Sequence, residues 1–213
     1  MTDHQTPPII PLPLFMLSLL YGGMACIAAV LGNKLVAFGP FAVEGGIFAF
    51  IMLVVISSAI AELYGKSTAD RLVLFGFIPI LVAMALIQIV IALPGASFWS
   101  EESRMAYELI LDQSTRLMFA GIVAYGTSQL LNVFLFTRLR ASVGPMVWLR
   151  GAIAGMLSQA VDTLIFITIA FYGIEPLGDL IPGQLIAKVL LSLILVPPLI
   201  TICVRVSRRF DRV

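Results

Sequence analysis

Six apolar stretches, each about twenty residues long, dominate this sequence, at roughly 12–32, 41–63, 72–93, 116–137, 146–172 and 183–204. About twenty residues of helix cross a hydrocarbon core about 30 Å thick. With no water in that core, the backbone polar groups must be bonded within the chain, which a helix achieves. Six such stretches in 213 residues leave loops too short for a separate soluble domain. The chain is 12% charged, half the roughly 25% of soluble domains. The expected fold class is therefore all-α: a polytopic membrane protein of six transmembrane helices. Residues 1–11 read as a tail, 12–206 as the membrane domain and 207–213 as a second, basic tail.

Charge sets the orientation. Lys66 and Arg71 follow span two, Arg138, Arg140 and Arg150 lie between spans four and five, and Arg205, Arg208, Arg209 and Arg212 follow span six. The opposite loops hold Glu44, Glu101, Glu102, Glu108, Asp112, Glu175 and Asp179, with Lys34, Arg104, Arg116 and Lys188 as their basic residues. By the positive-inside rule both termini are cytoplasmic. The even number of spans agrees. MTDHQTPPIIPLP lacks a basic n-region and runs into a full-length span, so it reads as a short proline-rich tail rather than a signal peptide. Cys26 and Cys203 each fall inside an apolar span and read as small buried hydrophobes rather than a disulfide or metal site. His4 stands in the tail, away from any other ligand. No metal, cofactor or catalytic residue is expected.

Span one carries Gly22, Gly23, Ala25, Ala28, Ala29 and Gly32, small residues that let helix backbones approach. Packing within the chain is favoured over a partner-binding face. Between spans three and four, residues 98–113 are amphipathic and acidic and are expected along the outer surface, with Phe98 and Trp99 at the interface. Whether this segment acts as a lid is open.

The polar residues inside the spans are the informative ones. In SQAVDTLIF (158–166), Gln159 and Asp162 are three apart and share a helix face with Gly151 and Gly155. With Arg150 at the cytoplasmic interface, twelve residues at 1.5 Å place Asp162 about 18 Å further in. Half the core is about 15 Å, so Asp162 sits near the midplane. A carboxylate there costs about 2.5–3.5 kcal/mol on the most lenient scale. It either lines a functional cavity or locks two helices by bonding Gln129 or Asn132; the cavity is favoured. SQLLNVFLF (128–136) repeats the spacing in span four, with Gln129, Asn132 and Ser128. Span two ends with Ser58 and Glu62 one turn apart; Glu62 either faces the site or pairs with Lys66. Asn33 and Lys188 lie toward the outer side, where Lys188 is expected to snorkel to the interface. Arg150 reads first as a positive-inside anchor and second as a ligand contact. The candidate binding residues are thus Glu62, Gln129, Asn132, Gln159, Asp162, Ser58, Asn33, Lys188 and Arg150. Amides, hydroxyls and one or two carboxylates suit a flat, neutral, hydrogen-bonding heterocycle: a carboxylate accepts adjacent N–H donors and an amide donates to a carbonyl.

AELYGKSTADRLVLFGF (61–77), SQLLNVFLFTRLR (128–140) and WLRGAIAGMLSQAVDTLIFITIAFYG (148–173) resemble the queuosine precursor transporter family of bacterial inner membranes, also described as a vitamin uptake family. The likeness runs from about residue 30 to 206 and is ordered as in the family. It implies uptake of 7-cyano-7-deazaguanine or a related 7-deazaguanine, for making the queuosine of transfer RNA. It also implies a six-helix fold similar to the substrate-binding subunits of energy-coupling-factor transporters. Two positions depart from the family pattern: Ser58 and Asn132 stand where the family usually or often has aspartate, while Glu62, Gln129, Gln159 and Asp162 match.

An importer of queuosine precursors is the first reading, with the solute, the lipid bilayer and a second copy of the chain as partners, and no nucleic acid. The alternative within transport is a substrate-capture subunit served by an external ATPase, since the chain has no GxxxxGK[ST] of its own. An intramembrane enzyme fits less well. A serine protease lacks its histidine, and an aspartyl protease lacks a second carboxylate beside Asp162.

Overall fold

A computed structural model describes residues 10–39, 41–112, 115–173 and 177–210. His4, Glu175 and most of the two tails lie outside the described residues. The order of elements is α1 (Leu12–Gly32), β1 (Leu35–Phe38), β2 (Phe41–Glu44), α2 (Gly46–Tyr64), α3 (Lys66–Phe75), α4 (Phe77–Ala92), α5 (Glu101–Leu111), α6 (Thr115–Arg138), α7 (Arg140–Val143), α8 (Val147–Phe171) and α9 (Leu177–Phe210). Among the described residues, six helical segments are long and apolar enough to cross a membrane, one of them made by α3 and α4 together. The protein is an all-α, multi-pass membrane protein with one small hairpin.

α2 is the hub. Ile51 and the run from Leu53 to Ala61 are buried, and α2 contacts α1, α3, α6, α8 and α9. Small side chains make this possible: Ala49, Ser57, Ser58, Ala59 and Ala61 interrupt the larger residues, so that neighbours close in from several sides. At its start, a Cβ on Gly46 would lie 2.7 Å from the Ala28 carbonyl oxygen and 3.3 Å from Gly32 Cα. Ala28 and Gly32 of α1 therefore serve packing against α2, whereas Gly22 meets Pro79 of α4 and Gly23 has nothing within 4 Å. α8 packs between α6 and α9, where a Cβ on Gly151 or Gly155 would press on Val196 at 3.4 or 3.3 Å. α4 buries none of its residues and touches α1 and α3 at the edge. Its apolar surface is the one lipid would cover.

One local departure from the expected spans and one expected segment matter for the site. Residues 41–44, read as the start of span two, form a strand instead. Leu35 pairs with Glu44 and Val36 with Val43, in an antiparallel hairpin turning at Gly39, whose φ of 60° suits a residue without a Cβ. A Gly-Pro pair cannot propagate a helix, and the hairpin bonds most of its backbone locally. The amphipathic outer segment becomes α5, N-capped by Ser100, which accepts from the Ser103 N–H at 3.2 Å. Its far end is tied to α1, where Asn33 Nδ2 donates to the Ile110 carbonyl at 2.8 Å.

Candidate functional site

A cavity of about 500 Å³ opens among α1, α2, α4, α6, α8 and α9, at the end of the bundle where the hairpin and α5 lie. Most of its wall is apolar, including Phe50, Met84, Ile87, Phe166 and Ile167. The polar residues on it are Asn33, Glu44, Gln88, Tyr125, Gln159, Asp162, Gln184 and Lys188. An apolar pocket with a few convergent polar groups is the usual form of a small-molecule site.

α8 brings Gln159 and Asp162 to this wall from one face of the helix. Asp162 Oδ1 accepts from the Ser128 hydroxyl of α6 at 3.1 Å. Its partner is thus the serine beside Gln129, rather than Gln129 or Asn132. Gln159 is 1% exposed, and among the described residues neither its amide oxygen nor its amide nitrogen has a partner. Few buried polar atoms are left unsatisfied in folded proteins, and each one calls for an explanation.

Gln129, Asn132 and Ser58 are completely buried outside the cavity wall. They tie α6 to α2: Asn132 Nδ2 donates to Ser57 Oγ at 3.1 Å and to Ser58 Oγ at 3.0 Å. Ser57 in turn donates to Gln129 Oε1 at 3.4 Å. Ser128 and Asn132 are one turn apart, so this layer lies directly behind Asp162, away from the mouth. Gln129, Asn132 and Ser58, expected among the binding residues, therefore do not line the cavity.

Glu62 and Arg150 lie further still from the mouth. Arg150 donates to Glu62 Oε2 at 2.7 Å, with the two side chains 1% and 8% exposed, and Arg208 approaches the other oxygen at 3.6 Å. The Arg150 guanidinium also covers the Phe136 ring at 4.5 Å. Lys66 pairs with Asp70, not Glu62, because α3 starts at Lys66 after the Gly65 turn and sets the two residues one turn apart. The buried Glu62–Arg150 pair joins α2 to α8, with Arg208 of α9 beside it, at the end opposite the cavity mouth.

Lys188 reaches the cavity instead of snorkelling. It is 4% exposed and lies 3.5 Å from Glu44 Oε2, because the hairpin folds Glu44 in against α9. Asn33 lines the mouth while holding α5. Four polar wall residues escaped the sequence reading: Glu44, Gln88, Tyr125 and Gln184. Gln88 and Gln184 carried a usable signal, each an amide within or beside a long apolar run; Glu44 carried none, because the hairpin is what turns it inward. Among the described residues, no cluster of histidine, cysteine or carboxylate side chains has the makings of a metal site.

Residues 44–202 match the family described as "Putative vitamin uptake transporter". The chain is also similar to the "Probable queuosine precursor transporter" of Bacillus subtilis (strain 168), with 32% identity over 117 residues, or 54% of this chain and 50% of that protein. It thus spans about half the length of the curated relative it matches. No solved structure matches it. Six segments among the described residues able to span a membrane, a largely apolar cavity with a few convergent polar groups and a family match over well more than half of the residues converge: the chain belongs to the vitamin uptake transporter family.

Proposed function

We propose that this protein is an inner-membrane importer of 7-cyano-7-deazaguanine or a closely related 7-deazaguanine, and that the solute binds in the cavity between Gln159 and Asp162. The observation that carries the reading is Gln159: a buried side chain on the cavity wall with both amide atoms unpartnered. A deazaguanine offers the complement. Its carbonyl accepts from the Gln159 amide nitrogen, and its adjacent ring and exocyclic N–H groups donate to Asp162 and to the Gln159 oxygen. The apolar walls, with Phe50 and Phe166, suit the faces of a flat ring. Gln129, Asn132 and Ser58 form the layer that holds Ser128, and through it Asp162, in place. Glu62 and Arg150 hold the closed end. The relative's printed name supports the same solute class.

The charge distribution supports a cavity mouth on the outer face with both termini in the cytoplasm, which fits an importer resting open to the outside. The test is ligand binding by the purified protein across a panel of 7-deazaguanines and ordinary purines, beside salvage by cells that cannot make the precursor. Micromolar or tighter binding of a 7-deazaguanine, lost in Gln159→Leu, is the expected result. No preference for the 7-deazaguanines, or unchanged queuosine in transfer RNA after deletion of the gene under salvage conditions, overturns it.

A further inference from the structure

The cavity carries an uneven number of charges. Three acidic or basic side chains line it among the described residues: Glu44 from β2, Asp162 from α8 and Lys188 from α9. Two carboxylates therefore face one ammonium. Lys188 is engaged with Glu44 at 3.5 Å. Asp162 has the Ser128 hydroxyl, and no cation stands within ion-pair distance of it among the described residues. Glu44 and Lys188 nonetheless both lie close enough to act on Asp162 electrostatically. Among the described residues, nothing else on the wall redresses the balance. α1 contributes Cys26 and α6 contributes Tyr125, neither of them an acidic or basic side chain of the Asp, Glu, Lys or Arg kind, while α2, α4 and α5 contribute no ionisable side chain.

A solute that fills the cavity drives water out, and charge interactions strengthen as the local dielectric falls. A neutral solute would thus enclose a carboxylate whose charge nothing cancels, an arrangement proteins seldom sustain. We infer that the cavity takes up its solute together with one unit of positive charge, carried either as a protonated amine on the solute or as a proton or Na⁺ that enters with a neutral one. This rests on the cavity being the solute site, and it goes further by tying binding to charge.

Two probes separate the sources. 7-Cyano-7-deazaguanine is neutral; the primary amine made by reducing its nitrile is an ammonium with a pKa of about 10 and stays charged between about pH 5.5 and 8.5. Calorimetric titration of the full-length protein is run across that range, and again at fixed pH with Na⁺ replacing choline. The nitrile is expected to tighten about tenfold per unit fall in pH if the accompanying cation is a proton, or about tenfold per tenfold rise in Na⁺ if it is sodium. The amine, which brings its own charge, changes less than about twofold in either titration. Glu44→Gln leaves one carboxylate against Lys188, and the nitrile's dependence flattens. Nitrile affinity that stays constant in both titrations, with the amine bound no tighter, overturns the inference and leaves the site reading standing. Failure of both probes to bind under every condition overturns the site reading and this inference with it.

Discussion

Replacing Asp162 by asparagine separates a binding carboxylate from a merely structural one. The side chain keeps its shape but loses its charge, and part of its acceptor face becomes a donor opposed to the solute's own N–H groups. The Ser128 hydroxyl, 3.1 Å from Oδ1, still finds the amide oxygen, so the tie between α6 and α8 survives. A hydrogen bond to a charged group is worth about 1.5–3 kcal/mol, and an unpaired ligand donor costs about 1–3 kcal/mol more. Allowing for overlap between the two, affinity should fall by about 2–4 kcal/mol, or about thirty- to a thousandfold. Calorimetry with 7-cyano-7-deazaguanine and a thermal melt on the same sample read both quantities. Lost affinity with an unchanged melting temperature is expected. Near-normal affinity with a lowered melting temperature would refute the reasoning, since it would make Asp162 a helix lock.

Three further outcomes follow from the same geometry. Glu62→Gln leaves Arg150 buried without its counter-charge and should cost about 3–5 kcal/mol in stability, while pairing it with Arg150→Met restores much of the loss; a wild-type melting temperature for the single variant would contradict this. Gly46→Ala forces a Cβ to within 2.7 Å of the Ala28 oxygen and should destabilise by about 1–3 kcal/mol. Gly23→Ala, with open space around it, should be neutral or slightly stabilising in the same melt, and equal effects would disprove the close approach of α1 and α2. Reporter fusions at either terminus or in the 138–150 loop should report the cytoplasm, and an external signal from any of them would reverse the orientation.

Hydropathy made the six spans legible because the bilayer demands length and apolarity in the sequence itself. It was blind to which helix sits at the centre: α2 and α4 are almost equally apolar, yet one is buried and the other bare. Small residues distinguish them, and those are a weaker signal. Asp162 and Gln159 stood out because polar groups at that depth are costly wherever they point. The partner of Asp162 was misjudged between neighbours, since Ser128 and Gln129 differ by one position and hence by about 100° around α6. Glu62 with Arg150, and Glu44 with Lys188, are 88 and 144 residues apart. Local spacing holds no trace of pairs like these. The second depended on a hairpin that apolar composition disguised as the start of a helix.

Cys26 offers the most direct test of the claim that the solute occupies this cavity. Its thiol lines the wall, whereas Cys203 lies outside it, and neither is in a disulfide. Labelling of the wild-type protein by a small neutral thiol reagent is followed at both cysteines by mass spectrometry, as 7-cyano-7-deazaguanine is added. The account predicts that labelling of Cys26 falls with the half-saturation seen in calorimetry, while Cys203 labels as before. Saturating ligand that leaves Cys26 labelling unchanged would contradict it.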